Sequence, residues 1–392
     1  MLSVQGGVIL KKFLIIICLC LLVGCSGNVK NDDIVNDKVI DNEEEVKEIV
    51  NYGIFNDYYD LALNKLKSMT LEEKVGQMIF ARLPQSKVKS VINDYHVGGF
   101  ILFGVDFKNK TKKQVINEIK SYQDESKIPL LLGVDEEGGS VVRISSNSNL
   151  YSHSFLSPQE VYKNDGMDGI INDTIEKSKL LHVLGLNVNL APVADVSTDS
   201  DDFIYDRSFG ASATDTSEYI RNVVKTYNDN NMGSCLKHFP GYGNNVDTHT
   251  GIAVDNRDYN TFLESDFLPF EAGIDEGVPS ILVSHNIVNS MDKDYPASLS
   301  KKVHEILRND LGFTGVIMTD DLSMEAITLY TDNPYVEAVK ALNDLLITTD
   351  YEKTYKSILE AVNNGSIDEE LIDSAVTRVL AWKYKLGLIK EG

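Results

Sequence analysis

Leu130-Leu131-Leu132-Gly133-Val134-Asp135 is an apolar run that stops on an acid and passes at once into the turn Glu136-Glu137-Gly138-Gly139. A short apolar run bounded by turn residues reads as a buried strand. Seven further runs of the same kind occur along the chain: Gln77 to Ala81, Gly98 to Phe103, Leu186 to Ala191, Ser234 to Phe239, Ser280 to His285, Gly315 to Asp320 and Asp344 to Thr348. Helix-like stretches lie between most of them. Two helix starts carry capping-box spacing, Thr70 with Glu73 and Ser366 with Glu369, and Asn364-Gly365 is placed to stop the helix ahead of the second.

Strands alternating with helices imply parallel pairing. Eight such units predict an α/β fold of the closed (β/α)8 TIM-barrel type rather than an open doubly wound sheet, and no Gly-x-Gly-x-x-Gly turn follows the first strand to favour a nucleotide fold. Residues 57–392 are long enough for one such barrel as a single catalytic domain. Several runs end on polar residues: Asp135, Lys237 with His238, His285 and Asp320, with Asp195 just beyond another. In a barrel these ends share one face and build the active site there.

The amino terminus has a different character. Lys11 and Lys12 precede the apolar run Phe13 to Val23, and Leu22-Val23-Gly24-Cys25-Ser26 supplies small residues at its end, the layout of a secretory signal over residues 1–25. The run is too short to span a bilayer. Leu-Val-Gly-Cys resembles the bacterial lipobox, which implies a lipid on Cys25 and an exported protein held on the extracytoplasmic face by that anchor alone. Residues 26–56 are acidic and poor in aromatics, the composition of a disordered tether.

Cys18 and Cys20 fall inside the signal run, so Cys235 is the one other cysteine of the mature chain, and no disulfide framework or metal-ligand spacing exists. Cys235 sits in an apolar stretch and reads as a small buried residue. The 37 Lys and Arg against 59 Asp and Glu give a formal charge of -22, which excludes nucleic acid as a natural partner.

Chemistry concentrates in three segments. In the first, Lys237-His238-Phe239-Pro240-Gly241-Tyr242-Gly243 is followed by Asp247-Thr248-His249. Residues two apart in an extended loop project the same way, so Asp247 can hold the ring of His249 and stabilise its protonated form, making a competent proton donor and acceptor. The plainer reading is an incidental surface loop. The second is Gly315-Val316-Ile317-Met318-Thr319-Asp320-Asp321-Leu322-Ser323-Met324, where a strand-terminal carboxylate is either a nucleophile or a helix cap, the second role suiting Asp321. The third is Gly133 to Gly139 with Arg143 beyond it. A Gly-rich turn there is unremarkable by itself, and its extra acids read as solvated.

Together these segments resemble glycoside hydrolase family 3, in its single-barrel β-N-acetylglucosaminidase branch, along nearly the whole barrel. The resemblance implies His249 as general acid/base oriented by Asp247, and Asp320 as the nucleophile of a retaining reaction. It also implies that Asp135, Arg143, Arg207, Lys237 and His238 bind the sugar. Asn189 to Asp195 and Tyr295 to Ser300 also look like family segments, with architectural roles. Tyr242, Glu136 and Thr248 stand where the family usually has His, Gln and Ser, and none of the three replaces a catalytic group. His285 faces the same pocket by position and reads more simply as a satisfied structural histidine.

The expectation is therefore an exo-acting enzyme that hydrolyses terminal β-linked N-acetylglucosamine from cell-wall fragments, with no metal or organic cofactor. Two alternatives stay open: a phosphorylase of the same linkage, since a histidine acid/base does not repel phosphate, and a muropeptide-binding lipoprotein without turnover. Oligomeric state leaves no mark on the sequence.

Overall fold

The computed structural model describes residues 53–245 and 251–390. The signal segment with Cys25, the tether as far as residue 52, and the pair Asp247 and His249 lie outside the described residues.

Eight parallel strands form the sheet: β1 Ile79–Arg82, β2 Gly99–Leu102, β3 Leu131–Val134, β4 Val188–Asn189, β5 Gly233–Phe239, β6 Ser280–Val283, β7 Val316–Thr319 and β8 Leu346–Thr348. Each falls on one of the eight apolar runs. Neighbours in sequence are neighbours in the sheet, and β8 returns to pair with β1 at Ile79 and Leu346. A parallel bridge between Met318 and Leu345 joins β7 to β8, so the sheet closes on itself as the (β/α)8 reading requires.

The fourth strand is the shortest, and side chains add to its backbone pairing. The Asn187 carboxamide accepts from Leu132 N at 2.8 Å, and Asn189 bonds both the N–H and the carbonyl of Glu136. Inside the barrel, Phe80, Cys235 and Met318 are buried, the two sulfurs of the last pair 3.8 Å apart. Gly133 fits because a Cβ there would stand 2.7 Å from the Phe80 ring, so glycine is the residue that lets this ring fill the interior.

Helix boundaries follow local chemistry, with one correction. Thr70 and Glu73 close the expected capping box, Glu73 N donating to Thr70 Oγ1 and Thr70 N to Glu73 Oε2. The helix after Asn364-Gly365 does not use Ser366. It spans Glu369–Lys385 and is capped by Asp368, whose carboxylate accepts from Glu370 N at 3.2 Å. Ile367 is buried, and turning it into the core delays the helix by two residues past the expected start. Ser366 instead donates its N–H to Asn364 Oδ1 within the turn.

This last helix lies across the amino-terminal mouth of the barrel. Arg378 reaches Asp344 ahead of β8 at 3.0 Å, Lys383 donates to Gln77 ahead of β1 at 2.6 Å, and Trp382 packs where a Cβ on Gly233 of β5 would meet it at 2.9 Å. That end is plugged, and the carboxyl-terminal end of the strands is left open. Folding also starts a little before residue 57: Phe55 is buried, and Ile54 N donates to Thr314 Oγ1.

Candidate active site

At the open end of the barrel the strand termini surround a cavity of about 480 Å³. Arg82 enters from β1, Asp135, Glu137 and Arg143 from the segment after β3, Arg207 from the segment after β4, Lys237 and His238 from β5, and Asp320 from the end of β7. The structure thus brings six residues singled out in the sequence (Asp135, Arg143, Arg207, Lys237, His238 and Asp320) to one cavity. A larger cavity of about 560 Å³ lies at the opposite end, lined by Arg308, Asp344 and Arg378, and none of the strand-end motif residues reaches it.

The centre of the site is an ionic network whose hub the sequence did not reveal. Glu137, expected in solvent, is buried. Arg207 holds its carboxylate through two parallel N–H groups, Nε at 3.0 Å and Nη2 at 2.8 Å, and Lys237 Nζ lies 2.6 Å from Oε1. Lys237 also reaches Asp135 Oδ1 at 2.7 Å. Burial alone would raise the Glu137 carboxyl, but Lys237 and Arg207 outweigh it and hold the group well below the usual carboxylate range. Burial likewise works against the two cations, while Asp135 and Glu137 keep Lys237 charged and Glu137 keeps Arg207 charged. Two cations and two carboxylates therefore stand fixed and mutually neutralised beside the cavity.

Asp195 is the second contribution that sequence reasoning undervalued. Its Oδ2 lies 2.7 Å from His238 Nδ1 and accepts His238 N, and its Oδ1 accepts Tyr242 N at 2.7 Å. A carboxylate at Nδ1 places the ring proton there, which leaves Nε2 as the acceptor for Arg207 Nη2 at 3.3 Å. Tyr242 is buried with its ring edge-on to His238, at 5.2 Å between centroids. Glu136 is fully buried and accepts three backbone N–H groups, from Arg143, Ile144 and Ser145. An ionised carboxylate satisfies that nest with acceptors alone, and in doing so fixes the backbone that carries Arg143.

Asp320 stands immediately beyond β7, with its N–H on Val283 O and one carboxylate oxygen accepting Asp321 N at 2.8 Å. Asp321 is not the helix cap expected of it. The next helix, Glu325–Thr328, has no side-chain cap, and Asp321 instead accepts from Ser323 N and Thr349 Oγ1 across the gap to β8. His285 is fully buried, taking Ser298 Oγ at Nδ1 and donating from Nε2 to Asp321 O, so it braces the backbone next to Asp320. Cys235 is buried as expected, and burial pushes its thiol up to about 12, out of reach as a nucleophile.

The stems on either side of residues 246–250 are tied together. Arg257 bonds both oxygens of Asp255, Asp266 Oδ1 at 2.9 Å and Gly241 O at 3.1 Å, while Asn245 Nδ2 reaches Asp255 Oδ2 at 2.7 Å. Gly241 and Gly243 have positive φ, and a Cβ on either would lie 2.4 Å from Asp266 or Arg257. The glycines of the Lys237 to Gly243 segment are thus the space this clamp occupies. No group of three or more His, Cys, Asp or Glu placed to hold a metal ion occurs among the described residues.

Comparison with known proteins gives the same direction. The family profile described as "Glycosyl hydrolase family 3 N terminal domain" matches residues 70–382. The chain is 28% identical over 330 residues to Beta-hexosaminidase A of Pseudoalteromonas piscicida, covering 76% of this chain and 55% of that one. It is 27% identical over 325 residues to Beta-hexosaminidase LpqI of Mycobacterium tuberculosis, covering 79% and 82%. Among solved structures, a glycoside hydrolase family 3 beta-N-acetylglucosaminidase from Paenibacillus sp. str. FPU-7 superposes with a TM-score of 0.77 at 28% identity, over 83% of this chain and 64% of that chain. The chain therefore spans little more than half of the first of these relatives and under two thirds of the Paenibacillus protein.

Proposed function

The chain belongs to glycosyl hydrolase family 3, and from that premise we propose that it is a retaining, exo-acting β-N-acetylglucosaminidase that removes terminal β-linked N-acetylglucosamine from peptidoglycan fragments. The observation that carries the reading is the meeting of Asp135, Arg207, Lys237 and His238 with Asp320 around one cavity at the open end of the barrel. Its chemistry runs in two steps. Asp320 attacks the anomeric carbon as the bond to the leaving oxygen breaks, and His249 gives its proton to that oxygen. His249 then takes a proton from water, whose oxygen attacks the same carbon and releases Asp320, so configuration is retained overall. Asp247 orients His249.

The ionic network supplies what a polyhydroxyl substrate needs. Asp135 accepts from ring hydroxyls, while Lys237, Arg207 and His238 stand ready as oriented polar groups. Because Glu137 and Asp135 neutralise the two cations, the network does not oppose the positive charge that develops at the anomeric centre. Similarity to proteins named beta-hexosaminidase supports the choice of sugar. The signal layout and Cys25 support export and lipid anchoring, which would place the enzyme where wall fragments are released.

The test is release of nitrophenol from 4-nitrophenyl β-N-acetylglucosaminide by the soluble form lacking residues 1–25, beside Asp320→Asn and His249→Ala, in phosphate and phosphate-free buffer. Free N-acetylglucosamine in both buffers, lost in both variants, is the expected result. A phosphorylated sugar would replace hydrolysis by phosphorolysis. An inert wild type, with the aryl β-glucoside inert as well, would leave a binding protein.

A further inference from the structure

The cavity at the plugged end, about 560 Å³, is larger than the catalytic one and takes no part in the chemistry proposed above. It lies between the chain entering β8, the last helix Glu369–Lys385 and residues 301–310. Its lining carries three cations, Lys301, Arg308 and Arg378, against two carboxylates, Glu305 and Asp344. The chain as a whole has a formal charge of -22, so its bulk field repels anions and a site that attracts one must do so by a local excess of this kind.

The protein does not absorb that excess itself. Both oxygens of Asp344 are occupied: Oδ2 accepts Arg308 Nη2 and Ile317 N, and Oδ1 accepts Arg378 Nη1 at 3.0 Å. Glu305 pairs with Lys301 at 3.8 Å, and among the described residues neither arginine has a second carboxylate within 4 Å. Burial lowers Arg308 to about 10 against the pull of Asp344, and the charge of Arg378 adds to the lowering. Arg308 gives Nη1 to Phe313 O and Gly315 O. Arg378 bonds Asp344 and Ser374 through Nη1 alone, so among the described residues its Nε and Nη2 donors have no partner, and its side chain is 25% exposed. One edge of a guanidinium is thus held by the fold and the other is left for a ligand.

The remaining lining is apolar, with Phe313, Val339, Leu342, Leu371 and Ala375 beside the charged groups. A volume in the range of small-molecule sites, an apolar wall and a few convergent polar donors suit an organic molecule better than a bare ion. We infer that this cavity is a second ligand site, which takes a small organic anion whose carboxylate or phosphate group meets Arg378 and Arg308 while its body lies on the apolar wall. A bound anion would join the last helix to residues 301–310, the joint that Asp344 already makes, so it strengthens the plug without touching the catalytic end.

The experiment is calorimetric titration of the soluble form lacking residues 1–25 with benzoate, phenyl phosphate and neutral benzamide, at an ionic strength held constant with sodium chloride. At least one of the two anions should bind once per chain and at least roughly tenfold more tightly than benzamide, the scale of a charge-assisted hydrogen bond. The tighter of the two identifies the headgroup as carboxylate or phosphate. Arg378→Gln removes the open donors, and Asn309→Trp closes the cavity from an exposed lining position with both arginines in place. Each should weaken the anion at least tenfold, whereas Asp320→Asn, at the other end of the barrel, should bind it as wild type does. Should Arg378→Gln fail to fold, Asn309→Trp decides alone. Benzamide binding as tightly as both anions, no saturable binding of either anion, or an affinity that survives in either cavity variant overturns the inference. So does an affinity lost in Asp320→Asn, which would move the anion to the catalytic cavity.

Discussion

The two ends of this barrel bury the same kinds of residue to different ends. At the open end, Arg207 and Lys237 meet Glu137 and Asp135 beside a cavity that both cations line. At the plugged end, Arg308 and Arg378 share the single carboxylate of Asp344, which also accepts Ile317 N, so the triad fastens β7 to the chain entering β8. Charges are balanced at the open end, where an ordered but polar surface must receive a ligand. At the plugged end a cation is left over and burial lowers Arg308 to about 10, although Asp344 works against that shift. The open end spends its ion pairs on orientation, whereas the plugged end uses them as rivets.

If that contrast holds, removing one carboxylate from each end should give different losses. Glu137→Gln leaves Lys237 with Asp135 alone and Arg207 without its paired acceptor. We expect kcat/KM to fall by roughly a hundredfold, the scale of losing oriented polar groups in a site, with a lowered Tm as well. Asp344→Asn should cost about 3 kcal/mol of stability, because Arg308 and the part-exposed Arg378 lose the counter-charge of a buried carboxylate, while kcat/KM per folded molecule stays as in wild type. Steady-state kinetics beside chemical denaturation separate the two. An activity loss in Asp344→Asn at temperatures well below its Tm would erase the distinction between the ends.

The plugged end also holds Lys383, which is fully buried with Gln77 as its hydrogen-bond partner. Burial lowers its ammonium from 10.5 to about 7. The sign follows from linkage: between about 7 and 10.5 the unfolded chain binds a proton that the folded chain binds less, so stability rises with pH through that window. Lys383→Met removes the burden. It should raise Tm at pH 7 by on the order of 5 °C, and the advantage should shrink toward pH 10. A Tm difference that does not change with pH would mean that Lys383 is charged in the fold and solvated by a route the packing does not suggest.

How far the sequence disclosed each end follows from the same contrast. All eight strands were legible, because an apolar run between turn residues is a local signal, and so were Asp135, Lys237, His238 and Asp320, which close those runs. Glu137 was not: an acid in a Gly-rich turn looks solvated until Arg207, 70 positions later, folds onto it. The Lys383 contact joins residues 306 positions apart, and nothing near either one announces it. Arg82 was missed for a different reason, since a lone Arg at the end of the first strand carries no motif.

The smallest effect concerns where the plug helix begins, and it tests local chemistry against sequence spacing. Ser366 and Glu369 have the spacing of a capping box, yet Asp368 accepts the helix N–H, and the Ser366 N–H turns back to Ala361 O and Asn364 Oδ1. Burial of Ile367 decides between them, because a helix started at Ser366 would have to carry that side chain as its first residue instead of folding it under the turn. Asp368→Ala should therefore cost about 1 kcal/mol, the usual value of a lost cap, read as a shift in urea midpoint at unchanged slope. Ser366→Ala should fall within about 0.3 kcal/mol of wild type, as a surface substitution away from any cap does. Because Arg378, Trp382 and Lys383 all lie on this helix, the loss in Asp368→Ala should fall on the plugged end alone and leave KM unchanged. The reverse order of the two variants would show that the capping box forms in solution and that Ile367 does not fix the start of the plug.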